Sequence, residues 1–476
     1  MNIVFIDPNL STSERYGKAL GKVGPTCEPL GLAYLAAALK EKRNDKIKII
    51  DAAASSYGLN ELKNILIKLK PDVIGIRIIT PMYLVAKDTI KMIRETIPNT
   101  KIVVGGPHPT IFPKQTMEEV PEIDFVGIGE GERIIVELLD AIENKRPISG
   151  VKGILYRKNN NIIMNEFREP IKDIDALPLP DRNLLNMKKY KPAPTYYKKL
   201  PSYIMLTSRG CPFNCTYCSK IFGRLYRYHS VDRIIKEMKI LIYKYGAREI
   251  IFRDDTFTIN KDHVRNLCNE IIKQELNEKI KWTCMTRVHL VDRDLLLLMK
   301  KAGCWSIHYG IESGNQRLLN LIRKGITLEQ CRNAIKWTKE FGIETKTFFM
   351  IGLPTETKEE SMKTLKFTKE LDPDWIQVTI TVPYPGTELY ETAKKDGTLK
   401  SFKWEDYQTW AGWSDKDLVY TPEERNAEEL KKLQKKAMRD FYFRPKFIIK
   451  QIKNLRSDNI NMYLSGAYAL FKSRFE

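Results

Sequence analysis

The chain has 476 residues, a hydrophobic fraction of 43% and a formal net charge of +20. This length and composition exclude a disordered chain and predict two to four folded domains. No apolar run approaches the roughly eighteen residues needed to span a bilayer, and the start MNIVFIDPNL lacks the pattern of a secretion signal, so we expect a cytoplasmic protein.

The excess of positive charge could indicate an anionic partner such as nucleic acid or a membrane surface. Lysines, however, occur along every predicted helix and often lie beside Glu or Asp, which is typical of a solvated surface. We therefore expect no nucleic-acid partner. Contact between the basic carboxyl-terminal helix and a membrane surface stays open as an alternative.

The first 145 residues alternate short apolar strands with helical patterns. Five strands that alternate with helices indicate a parallel sheet covered on both faces, the doubly wound α/β architecture that binds ligands beyond the carboxyl ends of its strands. We predict a Rossmann-like or flavodoxin-like domain over residues 1–145, with strands at NIVFID, IKIID, DVIGIRII, KIVVGG and IDFVGIG.

Residues 146–200 break this alternation. GILYRKNNNIIMNEF predicts a β-hairpin that turns at its asparagines, and a Pro-rich linker follows. A second alternating series occupies residues 201–400 and predicts a partial (β/α)6 TIM-type barrel with its chemistry in the loops after the strands. Its strands are expected at SYIMLTS and near residues 249–252, 280–285, 305–311, 344–351 and 375–382. Residues 401–476 are predicted to form a helical tail.

Three of the eight cysteines lie together in the segment RGCPFNCTYC, directly after the first barrel strand. Cys211, Cys215 and Cys218 have the spacing C-x3-C-x2-C. Thiolates are preferred ligands of iron-sulfur clusters, and three of them on a four-iron cubane leave one iron open to bind the amino and carboxylate groups of a ligand. A zinc knuckle is the alternative, but no fourth Cys or His follows at zinc spacing.

This spacing, with the aromatic Tyr217 just before the third cysteine, resembles the signature of the radical S-adenosylmethionine superfamily. The resemblance implies a 4Fe-4S cluster on the three cysteines and S-adenosylmethionine as a second cofactor. It also implies a 5'-deoxyadenosyl radical that removes hydrogen from a substrate, and a reducing partner such as ferredoxin or flavodoxin.

Groups suited to the amino-acid end, ribose and adenine of S-adenosylmethionine follow the second to fifth barrel strands. Taken singly, each could belong to a turn or a surface salt bridge. Their common placement at strand ends favours the cofactor-binding interpretation. The candidates are Asp254, Asp255, Thr256, Arg287, Glu312, Gly352 and Leu353.

The amino-terminal domain resembles the cobalamin-binding subgroup of the same superfamily in the segments EPLGLAYLAAAL, PDVIGI, VGGPHPT and GIGEGE. Glycines after the fourth and fifth strands let the backbone approach a bulky ligand, so cobalamin is expected at these strand ends. A domain that has lost its ligand, or that binds a nucleotide, is the alternative. The candidate contacts are Thr80, Gly105, Gly106, His108, Thr110, Gly127, Gly129, Glu130, Gly131 and Glu132.

The first strand ends in Asp7-Pro8-Asn9 and lacks the His that ligates cobalt in many cobalamin domains outside this subgroup. We therefore expect cobalt without an imidazole from that motif, and we expect the loop from Thr80 to Tyr83 to face its lower side. His108 is an alternative ligand, although packing is its favoured role.

The resemblance covers roughly residues 1–445. It is nearest to the anaerobic oxidative cyclase that acts on magnesium-protoporphyrin monomethyl ester and to cobalamin-dependent methylases that act on carbon or phosphorus. It implies methyl transfer to an unactivated centre of a small-molecule substrate, and radical oxidation or ring closure is the first alternative. An RNA-modifying iron-sulfur protein ranks lower, because only Cys27 precedes the triplet and no second cluster motif exists there.

Overall fold

The structure, a computed structural model, describes residues 1–10, 25–159, 161–407, 417–453 and 460. These residues divide into two compact units. The first unit contains residues 1–10, 26–190 and 220–227, and the second contains residues 191–219 and the described residues from 228 onward.

The first unit is built on a seven-stranded sheet. Five parallel strands have the spatial order β2-β1-β3-β4-β5, and two antiparallel strands, β6 and β7, continue the sheet beyond β5. This is the flavodoxin-like order, so the predicted fold class is confirmed. The strands are β1 (Asn2–Asp7), β2 (Lys46–Asp51), β3 (Val73–Arg77), β4 (Lys101–Gly105), β5 (Phe125–Gly127), β6 (Ile154–Lys158) and β7 (Asn161–Met164).

The predicted hairpin is present as β6 and β7, which pair from Leu155 with Met164 to Lys158 with Asn161. Because β6 also pairs with β5, the sheet extends beyond residue 145, where we expected the first domain to end. Much of the expected linker also packs in this unit. The hydroxyl of Tyr190, for example, donates a hydrogen bond of 2.9 Å to Asp51.

Helices connect the strands of the first unit and cover its sheet. The central strand β1 is apolar along most of its length, and Ile3, Val4 and Ile6 have no exposed surface, as expected of a strand covered on both faces. The helices are α1 (Leu30–Lys42), α2 (Ala52–Ser55), α3 (Leu59–Leu69), α4 (Tyr83–Thr96), α5 (Pro107–Ile111), α6 (Pro113–Glu119) and α7 (Gly131–Glu143).

The second unit is built on six parallel strands whose spatial order follows the chain, β8-β11-β12-β13-β14-β15. This confirms the six-stranded partial barrel. The strands are β8 (Ser202–Met205), β11 (Glu249–Phe252), β12 (Lys281–Thr286), β13 (Cys304–Glu312), β14 (Glu344–Ile351) and β15 (Trp375–Ile380). Two further strands of two residues each are β9 (Ser208–Arg209), in this unit, and β10 (Arg227–Tyr228), whose first residue is the last of the first unit.

Most helices of the second unit begin at a side chain that accepts a hydrogen bond from the first turn, such as Ser230, Asn260 or Asp292. They are α8 (Val231–Lys239), which a π-helical turn (Ile240–Lys244) continues, α9 (Lys261–Lys273), α10 (Leu276–Lys279), α11 (Arg293–Lys301), α12 (Gln316–Leu321), α13 (Leu328–Glu340), α14 (Lys358–Leu371), α15 (Glu388–Lys395), α16 (Ala427–Tyr442) and α17 (Pro445–Lys453).

The carboxyl-terminal tail is helical over α16 and α17. Residues 401–407 and 417–426 contain no helix apart from a 3-10 turn (Trp404–Asp406), so the predicted helix does not begin at residue 401, and residues 408–416, 454–459 and 461–476 lie outside the described residues. Helix α16 packs on the barrel, since it buries Leu430, Leu433 and Phe441, and Gln434 donates a hydrogen bond to the carbonyl of Val378 in β15. Within the described ranges, every helix is too short or too polar to cross a membrane.

Candidate cluster and cofactor sites

The three cysteines lie on one loop that begins where β9 ends, at the carboxyl end of the first barrel strand. Cys215 is buried, Cys211 is half-buried and Cys218 is exposed. The sulfur of Cys211 lies 3.8 Å from the hydroxyl of Thr256, and the guanidinium of Arg287 donates to the sulfur of Cys215 at 3.3 Å. The structure therefore brings the predicted residues of the second and third strand ends to the cysteine loop.

Asp254 holds the start of this loop. Its Oδ1 accepts hydrogen bonds from the backbone N–H of Thr207 at 2.9 Å, from the hydroxyl of Thr207 at 2.9 Å and from the hydroxyl of Ser208 at 2.5 Å. The side chain is 2% exposed. Asp254 thus orients the loop, whereas the neighbouring Asp255 is exposed.

Arg287 is buried with part of its hydrogen-bonding capacity unused. Its guanidinium stacks on Phe213 at 3.9 Å, and the residue is 6% exposed. In the part of the chain that the structure describes, its Nε and Nη2 atoms have no hydrogen-bond partner. Since a buried donor without an acceptor is costly, this guanidinium is suited to an anionic group beside Cys215.

Glu312 ends β13 with a positive φ of 74° and lies next to Tyr217. Its Oε1 accepts a hydrogen bond of 3.0 Å from the Tyr217 hydroxyl and one of 2.7 Å from Lys324. The sequence motifs pointed to Glu312 and Tyr217 but missed Lys324. Lys324 belongs to the turn after α12, and nothing in the sequence marks it as a site residue beyond its place in the short segment IRKG.

Gly352 and Leu353 form the turn after β14. Gly352 has a φ of 75°, and the N–H of Leu353 donates to Oε2 of Glu356 at 2.7 Å. The Leu353 side chain is fully buried with Leu318, in a cluster against which Tyr217 packs. Leu353 therefore belongs to the apolar cluster on which Tyr217, the aromatic residue of the cysteine motif, packs.

The donor set fits a cubane cluster better than a single ion. Nowhere in the described residues do three His, Cys, Asp or Glu side chains converge closely enough to hold one metal ion. A structural zinc site takes four ligands, whereas three thiolates on a cubane cluster each bind a different iron and leave the fourth iron open.

In the first unit, the predicted glycines meet at the carboxyl ends of β4 and β5. A side chain on Gly105 would come within 3.9 Å of the carbonyl oxygen of Gly127, so the two strand ends present bare backbone to each other. Gly106 has a φ of 105° and Gly129 a φ of 81°. The hydroxyl of Thr110 accepts a hydrogen bond of 3.1 Å from the N–H of Gly129 and joins the two loops.

His108 is a core residue of the first unit. It is 1% exposed, its ring centroid lies 4.3 Å from that of Tyr83, and its Nδ1 lies 3.3 Å from the hydroxyl of Thr80. Burial lowers the pKa of His108 to about 4, so the ring is neutral at physiological pH. These contacts favour the packing role over cobalt ligation. At the end of β1, Asp7 accepts two hydrogen bonds from Arg77, at 2.8 and 2.9 Å.

The GEGE segment is partly structural. Oε2 of Glu130 accepts hydrogen bonds from the N–H of Ile171 at 2.8 Å and from Arg227 at 2.7 Å. Gly131 leaves room for Leu35, whose Cδ2 would lie 2.9 Å from an added Cβ. Glu132 is 6% exposed in the first turn of α7. Glu130 thus ties α7 to the segment that follows the cysteine loop in the chain.

A partial barrel with a three-thiolate loop at its strand ends, preceded by a flavodoxin-like domain with glycine-rich strand ends, defines a two-domain iron-sulfur enzyme. A family profile described as "Radical SAM superfamily" matches residues 205–368, and one described as "B12 binding domain" matches residues 17–139.

Known proteins share this organisation. The chain is 39% identical over 454 residues to an uncharacterized methyltransferase of Pyrococcus horikoshii, which covers 95% of each chain. It is 32% identical over 399 residues to the anaerobic magnesium-protoporphyrin IX monomethyl ester cyclase of Cereibacter sphaeroides, which covers 82% of this chain and 63% of that protein. The fold is also similar to a solved structure of the radical S-adenosylmethionine methyltransferase TsrM from Kitasatospora setae, which has cobalamin and a 4Fe-4S cluster bound. The TM-score is 0.69 at 18% sequence identity, and the match covers 93% of this chain and 82% of that chain.

The chain belongs to the radical S-adenosylmethionine superfamily, in the subgroup that carries a cobalamin-binding domain. The predicted family is therefore confirmed. Its cofactors are a 4Fe-4S cluster, S-adenosylmethionine and cobalamin.

Proposed function

We propose that this protein transfers a methyl group from cobalamin to an unactivated carbon or phosphorus centre of a small-molecule substrate. The observation that carries the proposal is the presence, in one chain, of a three-cysteine loop at the barrel strand ends and a B12-binding domain. The similarity to a methyltransferase over 95% of both chains supports it. When bound, the cluster and S-adenosylmethionine supply a 5'-deoxyadenosyl radical, and cobalamin supplies the methyl group.

The residues of the chain would hold and orient these groups. The thiolates of Cys211, Cys215 and Cys218 would bind three irons and leave the fourth open. The unused N–H groups of Arg287 would bind an anionic group beside Cys215, and the carboxylate of Glu312 would accept from a donor of the cofactor. The cysteine loop, Arg287 and Glu312 follow three different barrel strands, as expected of barrel enzymes.

Metal counting tests the two cofactor sites separately. The protein is purified without oxygen, reconstituted with iron, sulfide and hydroxocobalamin, and compared with a variant in which Cys211, Cys215 and Cys218 are all changed to Ala. We expect about four irons and one cobalt in the wild type, and cobalt without iron in the variant. Cys268→Ala is the matched control, because Cys268 is a fully buried core thiol on α9, and it should keep both metals.

Iron without cobalt in the wild type would contradict methyl transfer through cobalamin. Iron that survives the triple substitution would contradict the cluster site itself. Incubation with S-adenosylmethionine labelled in its methyl group, followed by product mass spectrometry, then tests the reaction: a substrate that gains one labelled methylene unit supports the proposal.

A radical oxidation or ring closure is the second candidate, favoured by the 32% identity to the magnesium-protoporphyrin monomethyl ester cyclase. In that reaction the product loses hydrogen or gains oxygen and carries no label from the methyl group. Detection of such a product, with no methylated one, would select the cyclase-like reaction.

We further propose that a low-potential donor of the ferredoxin or flavodoxin class reduces the cluster, and that the enzyme works in the cytoplasm. The eight cysteines lack the spacing of an extracellular disulfide framework, which fits a reducing compartment. Formation of 5'-deoxyadenosine with reduced flavodoxin in place of a chemical reductant tests the donor. An RNA partner stays disfavoured, and a defined RNA that remains bound at high salt would revive it.

A further inference from the structure

Lys324 is a buried lysine that completes a triangle with Glu312 and Tyr217. The residue is 5% exposed, and its Nζ lies 2.7 Å from Oε1 of Glu312 and 3.0 Å from the hydroxyl of Tyr217. The Tyr217 hydroxyl in turn donates to the same Oε1 at 3.0 Å. Two donors thus converge on one carboxylate oxygen, immediately beside the third cysteine of the cluster motif.

The local backbone is arranged to allow this triangle. The pairing of β13 with β14 shifts register between Gly310 and Glu312, and Glu312 takes a left-handed conformation with a φ of 74°. Such an irregularity re-aims a side chain at a strand end, and the left-handed conformation is strained for a residue other than glycine. A side chain on Gly310 would lie 2.7 Å from Oε1 of Glu312 and 2.9 Å from Nζ of Lys324, so glycine lets the ion pair adopt this position without a shift of either side chain.

The triangle uses only one of the two carboxylate oxygens. Both hydrogen bonds of Glu312 end on Oε1, and among the described residues no donor reaches Oε2. A buried ion pair contributes little to stability by itself, because the desolvation of both charges offsets their attraction. The strained backbone and the one-sided pairing are therefore better explained by a role of Oε2 toward a ligand.

We propose that Lys324 is a positioning residue that acts through Glu312. Together with Tyr217 it keeps the Glu312 carboxylate turned so that Oε2 accepts a hydrogen bond from S-adenosylmethionine at the cluster. The donor is an N–H of the amino group or an O–H of the ribose. This inference rests on the family's cofactor and is independent of the methyl transfer proposed above.

The test is the dissociation constant of S-adenosylmethionine, measured by anaerobic equilibrium dialysis on the reconstituted protein. Lys324→Met keeps the length of the side chain but removes its charge, and we expect binding to weaken about 10- to 100-fold, as for the loss of a charge-assisted hydrogen bond. Lys324→Arg should recover part of the affinity. The control Arg323→Ala, which changes a half-exposed neighbour paired with Glu388, should bind like the wild type.

Two further readouts separate positioning from a merely structural role. Iron content should be unchanged in Lys324→Met, and the electron paramagnetic resonance spectrum of its reduced cluster should respond to S-adenosylmethionine only at higher concentrations. In a double-mutant cycle, Lys324→Met added to Glu312→Gln should weaken binding little further, because Lys324 acts through Glu312.

Wild-type affinity of Lys324→Met for S-adenosylmethionine would overturn the proposal. Additive losses of affinity in the double-mutant cycle would overturn it as well, and so would a loss of iron in Lys324→Met that parallels its loss of affinity. The ligand 5'-methylthioadenosine, which has the ribose but no amino acid, identifies the donor. If Lys324→Met weakens its binding, Oε2 meets the ribose; if only S-adenosylmethionine is affected, Oε2 meets the amino group. All of these outcomes are obtained without a methyl acceptor, so a failed methylation assay would leave them unaffected.

Discussion

Asp254 should lower the stability of the barrel at neutral pH, although it makes three hydrogen bonds. Burial raises the pKa of Asp254 to about 6, and the hydrogen bonds from Ser208 and Thr207 offset only part of this effect. An exposed aspartate has a pKa of about 4, and one pH unit corresponds to about 1.4 kcal/mol. The ionised carboxylate therefore costs the folded state about 3 kcal/mol relative to the unfolded chain.

The sign follows from the direction of the shift. Because the folded pKa lies above the unfolded one, the wild type loses this stability as the pH rises from about 4 to about 6. Asp254→Asn keeps an oxygen acceptor for Thr207 and Ser208 but cannot ionise. Between pH 5 and pH 8 the variant should gain about 1.4 kcal/mol in unfolding free energy relative to the wild type.

The assay is urea unfolding followed by tryptophan fluorescence. All seven tryptophans lie at residue 282 or beyond, so this signal follows the second unit alone. Glu249, whose pKa burial raises to about 7, also changes the stability of the barrel with pH. That contribution is common to both proteins and cancels in the difference between variant and wild type.

A difference between variant and wild type that is the same at pH 5 and pH 8 would refute the reasoning, because it would mean that burial does not penalise the carboxylate. Asp254→Ala tests the second half of the argument. It removes the acceptor altogether, so we expect the cysteine loop to lose its anchor and the reconstituted protein to retain less iron than Asp254→Asn.

Three further predictions concern the first unit. Gly106→Ala should cost at least about 2 kcal/mol and weaken cobalamin binding, because the added Cβ would lie 2.8 Å from the carbonyl oxygen of Ile78 and φ is 105°. His108→Ala should leave the absorption spectrum of bound cobalamin unchanged while lowering the melting temperature, since the ring packs in the core. Arg227→Met should destabilise the unit by about 3 kcal/mol, because it removes the guanidinium that pairs with the buried carboxylate of Glu130.

These three changes are measured by circular dichroism and by the absorption of bound cobalamin, because no tryptophan precedes residue 282. Lys152→Met is the control for the ion-pair prediction, since its pair with Glu166 is exposed on both sides and should contribute little. A shifted cobalt spectrum in His108→Ala would show that this imidazole is a ligand. Unchanged stability in Gly106→Ala or Arg227→Met would show that the corresponding loop relaxes around the substitution.

The strands of both sheets could be predicted because their signals are local. Strands β11 and β14 have the predicted bounds, since short apolar or alternating runs end at charged or glycine residues. The attachment of the hairpin to the first sheet could not be predicted in the same way. It depends on the pairing of Phe125 with Tyr156, a contact that no local pattern encodes.

The site was predictable as a set of positions but not as a set of contacts. The spacing of the cysteines and the strand ends placed Asp254 and Glu312 near the loop, because parallel strands end at one edge of a sheet. The direction of each carboxylate depends on its partners. The partners of Asp254 lie 46 and 47 positions away, and Lys324 lies 12 positions from Glu312 in a turn without a recognisable motif.

The cysteine loop is fixed by the protein itself. In its middle, the N–H of Thr216 donates to the carbonyl of Ile322 at 3.1 Å, and its carbonyl accepts from Leu389 at 2.9 Å, while Asp254 holds the start. Small zinc domains fold only when the metal arrives, because few other contacts order their ligands. Here protein contacts hold the cysteine loop, so we expect that iron and sulfide can rebuild a cluster destroyed by oxygen, once the thiols are reduced, without unfolding of the chain.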